Sequence, residues 1–261
     1  MVSSTRRTLI ITAAVFAVII ILYGGYRVIC RLMQPPEPLV PTGELRVGID
    51  ISYAPFGMLE NGEFRGIDVD LARALGDYLN LPVRIIPLGY DGLYDALETD
   101  QVDIIISALV PDPSRTNRVR YSIPYFNAGL VLVSPTTANI NGMSDMTEKI
   151  LAISLGSDAQ TEANRWERRI PEFEIRPYET NTIALDAVRL HEADAALVDH
   201  TAARMYLRDH AEWRAAVEEV TVLPYSVATR IERINLGNAI QSALETFQRD
   251  GTLEAIFSRY L

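Results

Sequence analysis

The sequence predicts an α/β fold made of two similar lobes joined by two crossing strands. Three observations lead to it. Asp103 opens into Ile104-Ile105-Ile106 and on through Ser107-Ala108-Leu109-Val110, a β-branched apolar run bounded by turn residues, as a parallel strand covered on both faces requires. Strand and helix patterns alternate from Leu45 to Asp103 and again from Ile150 to Val198, the order of a parallel α/β unit. The halves also echo one another, since Asp95-Ala96-Leu97 begins eight residues before Asp103 and Asp186-Ala187-Val188 eight before Asp194. The echo sets Asp199, just past its strand, opposite the Ser107 region.

In chain order, Arg6 and Arg7 precede Leu9 to Leu22, fourteen uncharged residues. That length lies between the apolar region of a signal peptide and a full membrane span. No small-x-small cleavage site stands out, and Arg27-Val28-Ile29-Cys30 lacks the small residue before cysteine that a lipoprotein site requires. Residues 1–33 therefore read as an amino-terminal membrane anchor, with a cleaved signal as the alternative. Pro35-Pro36-Glu37-Pro38 through Pro41 reads as a stiff spacer, making residues 34–43 a linker.

The folded part opens with a strand at Leu45–Ile49 and a loop holding Asp50, Ser52, Tyr53 and Pro55-Phe56. Val69, Leu71-Ala72, Leu75 and Leu79 have helical spacing that Pro82 stops, Val83–Ile86 is a strand, and Leu93, Ala96 and Leu97 mark a second helix. Leu130–Val133 is a strand leaving the first lobe. The second unit runs from a strand at Ile150–Ile153 to Gly156-Ser157-Asp158-Ala159-Gln160, a helix start with capping-box spacing. Glu174–Tyr178, a helix from about Thr182 to Leu190, and Ala195–Val198 complete it. The chain crosses back at Val222–Tyr225 into a strand at Val227–Thr229 and a helix through Leu236, Ile240, Leu244 and Phe247. Asp250-Gly251 ends that helix, and a last turn runs from Leu253 to Tyr260. Lobe 1 is then 44–131 with 224–261, and lobe 2 is 132–223.

Residues 1–33 hold four arginines and no acid, leaving 20 basic against 34 acidic residues, a net charge of −14. That sign argues against nucleic acid as a partner. The single cysteine, Cys30, can form no disulfide within the chain. His191, His200 and His210 show no spacing of a metal site or triad, and no phosphate loop exists, so neither metal nor cofactor is expected. Ligands of parallel sheets bind at the strands' carboxyl ends, so Ser107 and the loop through Arg115 should face a crevice. Arg115 is the candidate anion clamp, because its planar fork matches a carboxylate and stays charged.

Gly48, Asp50 and Tyr53-Ala54-Pro55-Phe56, then Gly66-Ile67-Asp68-Val69-Asp70-Leu71-Ala72, Asp103 to Arg115 and Ser122-Ile123-Pro124-Tyr125 form an ordered series. Gly156-Ser157, Asp199 and Asp250-Gly251-Thr252 continue it. Together they resemble the family 3 extracytoplasmic solute-binding proteins for polar amino acids, which serve ABC importers. The resemblance covers Glu44 to Leu261 and implies a two-lobed, type II periplasmic-binding-protein-like fold, with the two crossing strands as its hinge. It implies that Arg115 holds the ligand's α-carboxylate, Asp199 its α-ammonium, and that Tyr53 stacks on its side chain. Backbone groups at Ser107 and Ser157 and the helix start after Gly156 would complete the site, with Asp50, Phe56, Ala108, Val110 and Asp158 around it. Two residues depart from the family pattern. Val110 stands where serine or threonine is frequent and Asp158 where threonine is common, which removes hydroxyls and adds a negative charge near the carboxylate end.

The implied partners are an amino acid, ABC permease subunits and, through the amino-terminal segment, the cytoplasmic membrane. A sensor or receptor module and a secreted dehydratase-like enzyme on the same fold are the alternatives. Asp50, Tyr53 and Phe56 mix charge with aromatic faces, leaving a polar, basic or aromatic amino acid open. The anchor reading predicts that the protein pellets with membranes and resists carbonate extraction. A soluble mature form beginning after residue 30 would show a cleaved signal instead.

Overall fold

β1 (Leu45–Ile49) buries Leu45, Val47 and Ile49 on one face and turns Gly48 toward Leu93 and Val102 on the other, the period-two pattern of a strand covered on both sides. In the computed structural model, which describes residues 38–170 and 172–261 with Tyr23, Gly25 and Tyr26, residues 40–261 form one unit. The expected anchor lies outside the described residues, apart from Tyr23, Gly25 and Tyr26. No described helix is long and apolar enough to cross a membrane.

After β1 come a hairpin, β2 (Met58–Glu60) and β3 (Glu63–Arg65), and helix α1 (Ile67–Leu79). β4 (Val83–Pro87), α2 (Leu93–Glu98), β5 (Ile104–Ile105) and β6 (Val119–Asn127) follow, with β1 parallel to both β4 and β5. The expected long strand is thus two residues in its ladder. Ala108, at φ 44°, turns the chain, although every residue from Val102 to Leu109 is buried.

β7 (Leu130–Pro135), β8 (Ile150–Ser154), α3 (Asp158–Glu167), β9 (Glu174–Tyr178), α4 (Asn181–Arg189), β10 (Ala195–Asp199), α5 (His200–Asp209) and β11 (Ala215–Glu219) build the second lobe. β12 (Pro224–Arg230), α6 (Ile234–Asp250) and α7 (Thr252–Phe257) return to the first. The sheets have the orders β4-β1-β5-β12-β6 and β11-β7-β10-β8-β9. β9, β8 and β10 are parallel, β7 is antiparallel to β10, and β11 is antiparallel to β7.

β7, expected to carry the first crossing over Leu130–Ser134, lies wholly in the second sheet. The crossing is made instead by Ala128 and Gly129, and the return by the segment from Val220 to Leu223. The two segments are bonded to each other. Asn127 Oδ1 accepts from Gly129 N at 3.0 Å and Leu223 N at 2.9 Å, Ala128 N donates to Leu223 O at 2.8 Å, and Thr221 Oγ1 accepts from Leu130 N at 2.8 Å. Residue 129 is glycine because a Cβ there would lie 2.0 Å from the Thr221 carbonyl oxygen.

The echo between the halves is a repeated hydrogen-bond pattern. Asp103 N donates to Arg46 O at 2.8 Å while Arg46 N donates to Asp103 Oδ2 at 3.0 Å. Likewise Asp194 N donates to Ile150 O at 2.9 Å while Ile150 N donates to Asp194 Oδ2 at 2.7 Å. In each lobe the aspartate satisfies the first inward amide of the neighbouring strand, which has no other strand to donate to at that point. Asp103→Ala and Asp194→Ala should each lower unfolding free energy by about 1–3 kcal/mol in urea titrations. Asp103→Ala should cost more, because Arg46 also loses the bonds from Nε at 2.9 Å and Nη2 at 2.8 Å to that carboxylate, keeping only Asp100.

Candidate functional site

The carboxyl ends of β8, β9 and β10 lead directly into α3, α4 and α5, so three helix amino termini converge on one end of the second sheet. Each is capped by a side chain: Ser157 Oγ accepts from Gln160 N at 3.3 Å, Thr180 Oγ1 from Ile183 N at 3.2 Å, and Asp199 Oδ1 from Ala202 N at 2.8 Å. The capping box is shifted by one residue, since Gln160 Oε1 accepts from Gly156 N at 2.7 Å rather than from Ser157 N. A cavity of about 400 Å3 lies against these termini. Ser157, Asp158, Asn181 and Asp199 line it together with Thr161, Glu162, Arg165 and both crossing segments.

Asp199 does two things there. Besides capping α5, its Oδ2 accepts from Asn181 Nδ2 at 2.6 Å, and each oxygen keeps a further lone pair for a cation. Asn181 Oδ1 is buried on the same cavity and has no partner among the described residues. Asp158 is exposed at the first turn of α3, and Glu162 is paired with Arg165 at 2.8 Å. The wall therefore offers helix amino termini to an anion and carboxylates to a cation. Sequence pattern points to Asn181 alone of the added lining residues, through Thr180-Asn181 at a helix start, and carries no signal for Thr161, Glu162 or Thr221.

The first-lobe candidates lie apart from this cavity. Arg115 ends a single helical turn, Pro113–Arg115, and its side chain is 40% exposed. Its guanidinium carbon lies 4.2 Å from the centre of the Tyr94 ring, and Nε is 3.2 Å from Asp112 Oδ2. Tyr94 Oη is in turn 2.9 Å from Tyr121 Oη. The fork is thus stacked and aimed, and among the described residues its outer nitrogens meet only Glu98 Oε1, at 3.9 Å. Tyr53 is 51% exposed and stacks on Phe56 at 5.7 Å. Phe56 is 1% exposed, packed edge-on against Phe126 and Tyr225, and so supports Tyr53 from below.

Asp50 accepts from Ser52 Oγ at 2.7 Å, Ser52 N at 2.8 Å and Tyr90 N at 3.1 Å. The Ser52 hydroxyl foremost holds its carboxyl below the usual carboxylate range. Ser107 Oγ accepts from Asp50 N at 2.9 Å, Ala108 is buried, and Val110 is half-buried.

Ala108 N does not face an open crevice: it donates to Asp68 Oδ2 at 2.8 Å and meets Tyr125 Oη at 3.1 Å, while Tyr125 Oη donates to Asp68 Oδ1 at 2.7 Å. Asp68 is fully buried. Burial pushes its carboxyl up to about 7 against the two hydrogen bonds that favour the charge.

A family model described as bacterial extracellular solute-binding proteins, family 3, matches residues 45–261. The chain belongs to this family. The L-cystine-binding protein TcyJ of Escherichia coli K12 is 26% identical over 84% of this chain and 82% of its own. The arginine-binding extracellular protein ArtP of Bacillus subtilis 168 is 24% identical over 83% and 86%. Among solved structures, an ancestral cationic amino acid solute-binding protein is 30% identical with a TM-score of 0.58, covering 84% of this chain and 96% of its own. The L-cystine solute receptor of Neisseria gonorrhoeae in its unliganded open conformation shares the fold at a TM-score of 0.70 and 22% identity, over 85% and 94%. The two-lobed α/β architecture and family membership expected from the sequence both hold.

The Asp68 carboxyl, raised above its unfolded value near 4, binds more protons in the folded state between pH 4 and 7. Its contribution to stability is therefore fully present below about pH 4 and lost as the pH rises through 7. Urea titrations should show the stability advantage of the parent over Asp68→Asn shrinking from pH 4 to pH 7.5. A constant difference would mean that Asp68 keeps an ordinary pKa.

Proposed function

We propose that this solute-binding protein captures an amino acid between its lobes outside the cytoplasmic membrane and delivers it to the permease of an ABC importer. The observation that carries the reading is the second-lobe cavity, where three capped helix amino termini stand beside the Asp199 carboxylate. Such a wall binds both ends of a zwitterion. Arg115, stacked on Tyr94 in the first lobe, takes the α-carboxylate as the lobes close, and Asp199 takes the α-ammonium. Tyr53 covers the side chain, with Asp50, Phe56 and Ser107 holding the loop that presents it. Ala108 and Val110 flank the first-lobe wall, and Ser157 and Asp158 the second. In this assignment the boundary expected at 131/132 moves to the crossing at Ala128 and Gly129, and the two lobes are tethered by the spacer 34–43 to an anchor in residues 1–33.

Binding without catalysis is the reading favoured over a dehydratase-like enzyme. His200 Nδ1 is 2.8 Å from Asn127 O and stacks on Phe126 at 5.3 Å, while the His210 ring lies 4.3 Å from that of Tyr206. Both are used in packing, and neither lines the cavity. The relatives named for arginine and cystine, and the ancestral protein for cationic amino acids, favour an amino acid over a sugar or an inorganic ion.

In calorimetry with the amino acid giving the largest thermal shift from a panel of twenty, Arg115→Ala and Asp199→Ala should each weaken binding by about 30-fold or more. Each leaves one ligand charge desolvated and unpaired. Arg115→Lys should fail nearly as badly, since an ammonium lacks the bidentate fork. Binding of both alanine variants within threefold of the parent would refute the site, and with it the α-amino acid.

A further inference from the structure

Two helices from different lobes meet away from the cleft. Arg204 on α5 grips Glu254 on α7 with both terminal nitrogens, Nη1 donating to Oε2 at 3.3 Å and Nη2 to Oε1. Its guanidinium carbon also lies 5.5 Å from the centre of the Phe257 ring. One turn on, Arg208 Nη1 donates to the Tyr260 carbonyl at 2.8 Å.

Both ends of this contact are fixed within their own lobes. The Tyr260 hydroxyl donates to Asp70 Oδ2 at 2.9 Å and accepts from Gly66 N at 3.3 Å, and Arg259 pairs with Asp70 at 2.7 Å. α5 is tied to α4 through Tyr206 Oη, which donates to Asp186 Oδ1 at 2.6 Å. The contact therefore couples the lobes directly, independently of the crossing segments.

Its position relative to the hinge decides what it does. α2, which carries Tyr94 beneath Arg115, packs on the Gly48 and Ile105 face of the first sheet. α3, which begins at the cavity, packs on the Leu151 and Ile153 face of the second. α7, with α1, covers the opposite side of the first lobe, and α5 packs on the opposite face of the second sheet with Ala152 and Val198. Between the two sides run the crossing segments, which line the cavity and bond to the start of α5 through His200 N, 3.0 Å from Gly129 O. A rotation that brings Arg115 toward Ser157 closes the α2–α3 side and must open the α5–α7 side.

We propose that Arg204 and Arg208 of α5, gripping Glu254 of α7 and the Tyr260 carbonyl just beyond it behind the hinge, form a clasp that holds the lobes apart until ligand binds. The inference rests on the reading above, in which the lobes close on an amino acid. Ligand must break the clasp, and apparent affinity falls with the fraction of molecules in the closing-competent state. Weakening the clasp should therefore tighten binding at a site it does not touch. For one partly exposed ion pair the gain is about two- to fivefold.

The test uses the full chain in detergent, with Cys30→Ser and spin labels on Asp95→Cys and Glu167→Cys, exposed positions on α2 and α3. Without ligand, Arg204→Ala should shorten the mean label distance, and the swap Arg204→Glu with Glu254→Arg should restore it. Calorimetry with L-arginine and L-cystine should show Arg204→Ala binding two- to fivefold tighter than the parent and the swap close to the parent. If the parent binds neither these nor any other amino acid, the functional reading falls and the ligand-free distances alone decide the clasp. An unchanged distance in ligand-free Arg204→Ala overturns it, as does weaker binding by that variant at an unchanged melting temperature.

Discussion

A single buried carboxylate determines how the first lobe presents the loop that carries Arg115. Asp68, at the start of α1, accepts the Ala108 amide and the Tyr125 hydroxyl, joining three segments far apart in sequence. The Ala108 amide is unavailable to a strand ladder because the residue has left-handed backbone geometry, uncommon for a residue with a side chain. Without Asp68 that buried amide would keep only its longer bond to Tyr125 Oη at 3.1 Å, and Tyr125 would itself lose the carboxylate that orients it. The turn ends β5 after two residues and sends the chain into the loop that places Arg115 over Tyr94. An element in the core thus fixes the direction of an exposed guanidinium.

Much of this arrangement was legible in the sequence, for identifiable reasons. Leu45–Ile49 and Glu174–Tyr178 are strands at the expected bounds, and α1, α4 and α6 follow their apolar spacing, because periodicity reports burial and burial shapes these elements. α5 escaped notice because only Ala203 and Tyr206 of its ten residues are buried, too sparse a stripe to read. β5 was expected to be longer because Ser107 to Leu109 are buried without being paired, and apolar pattern does not distinguish the two. The roles of Asp68, Tyr125 and Asn181 depend on contacts across 17 to 57 residues of chain, which no local pattern carries. His200, which carries no motif in the sequence, is the first residue of α5 and is also bonded to the Asn127 carbonyl at the crossing.

The repeated aspartate device shows how two lobes of low sequence similarity keep one plan. What recurs between Asp95 and Asp103, and between Asp186 and Asp194, is the route of the backbone out of a helix, through a left-handed residue at Asp100 or His191, and into a strand. Only the aspartate that satisfies the neighbouring strand is needed in both copies. Side chains elsewhere were free to diverge into an arginine-bearing loop in one lobe and a capped cavity in the other.

The strand order carries a consequence for assembly on the ribosome and during export. Among the described residues β6 pairs with β12 alone, and β12 also completes β5, so the first sheet holds two open edges until the chain has been made past Arg230. The second sheet, by contrast, is drawn from one uninterrupted stretch ending at Glu219. A nascent chain stalled between these points carries a complete second sheet and a first sheet with exposed, unpaired edges. It is in that interval that this molecule most needs a chaperone or rapid passage across the membrane.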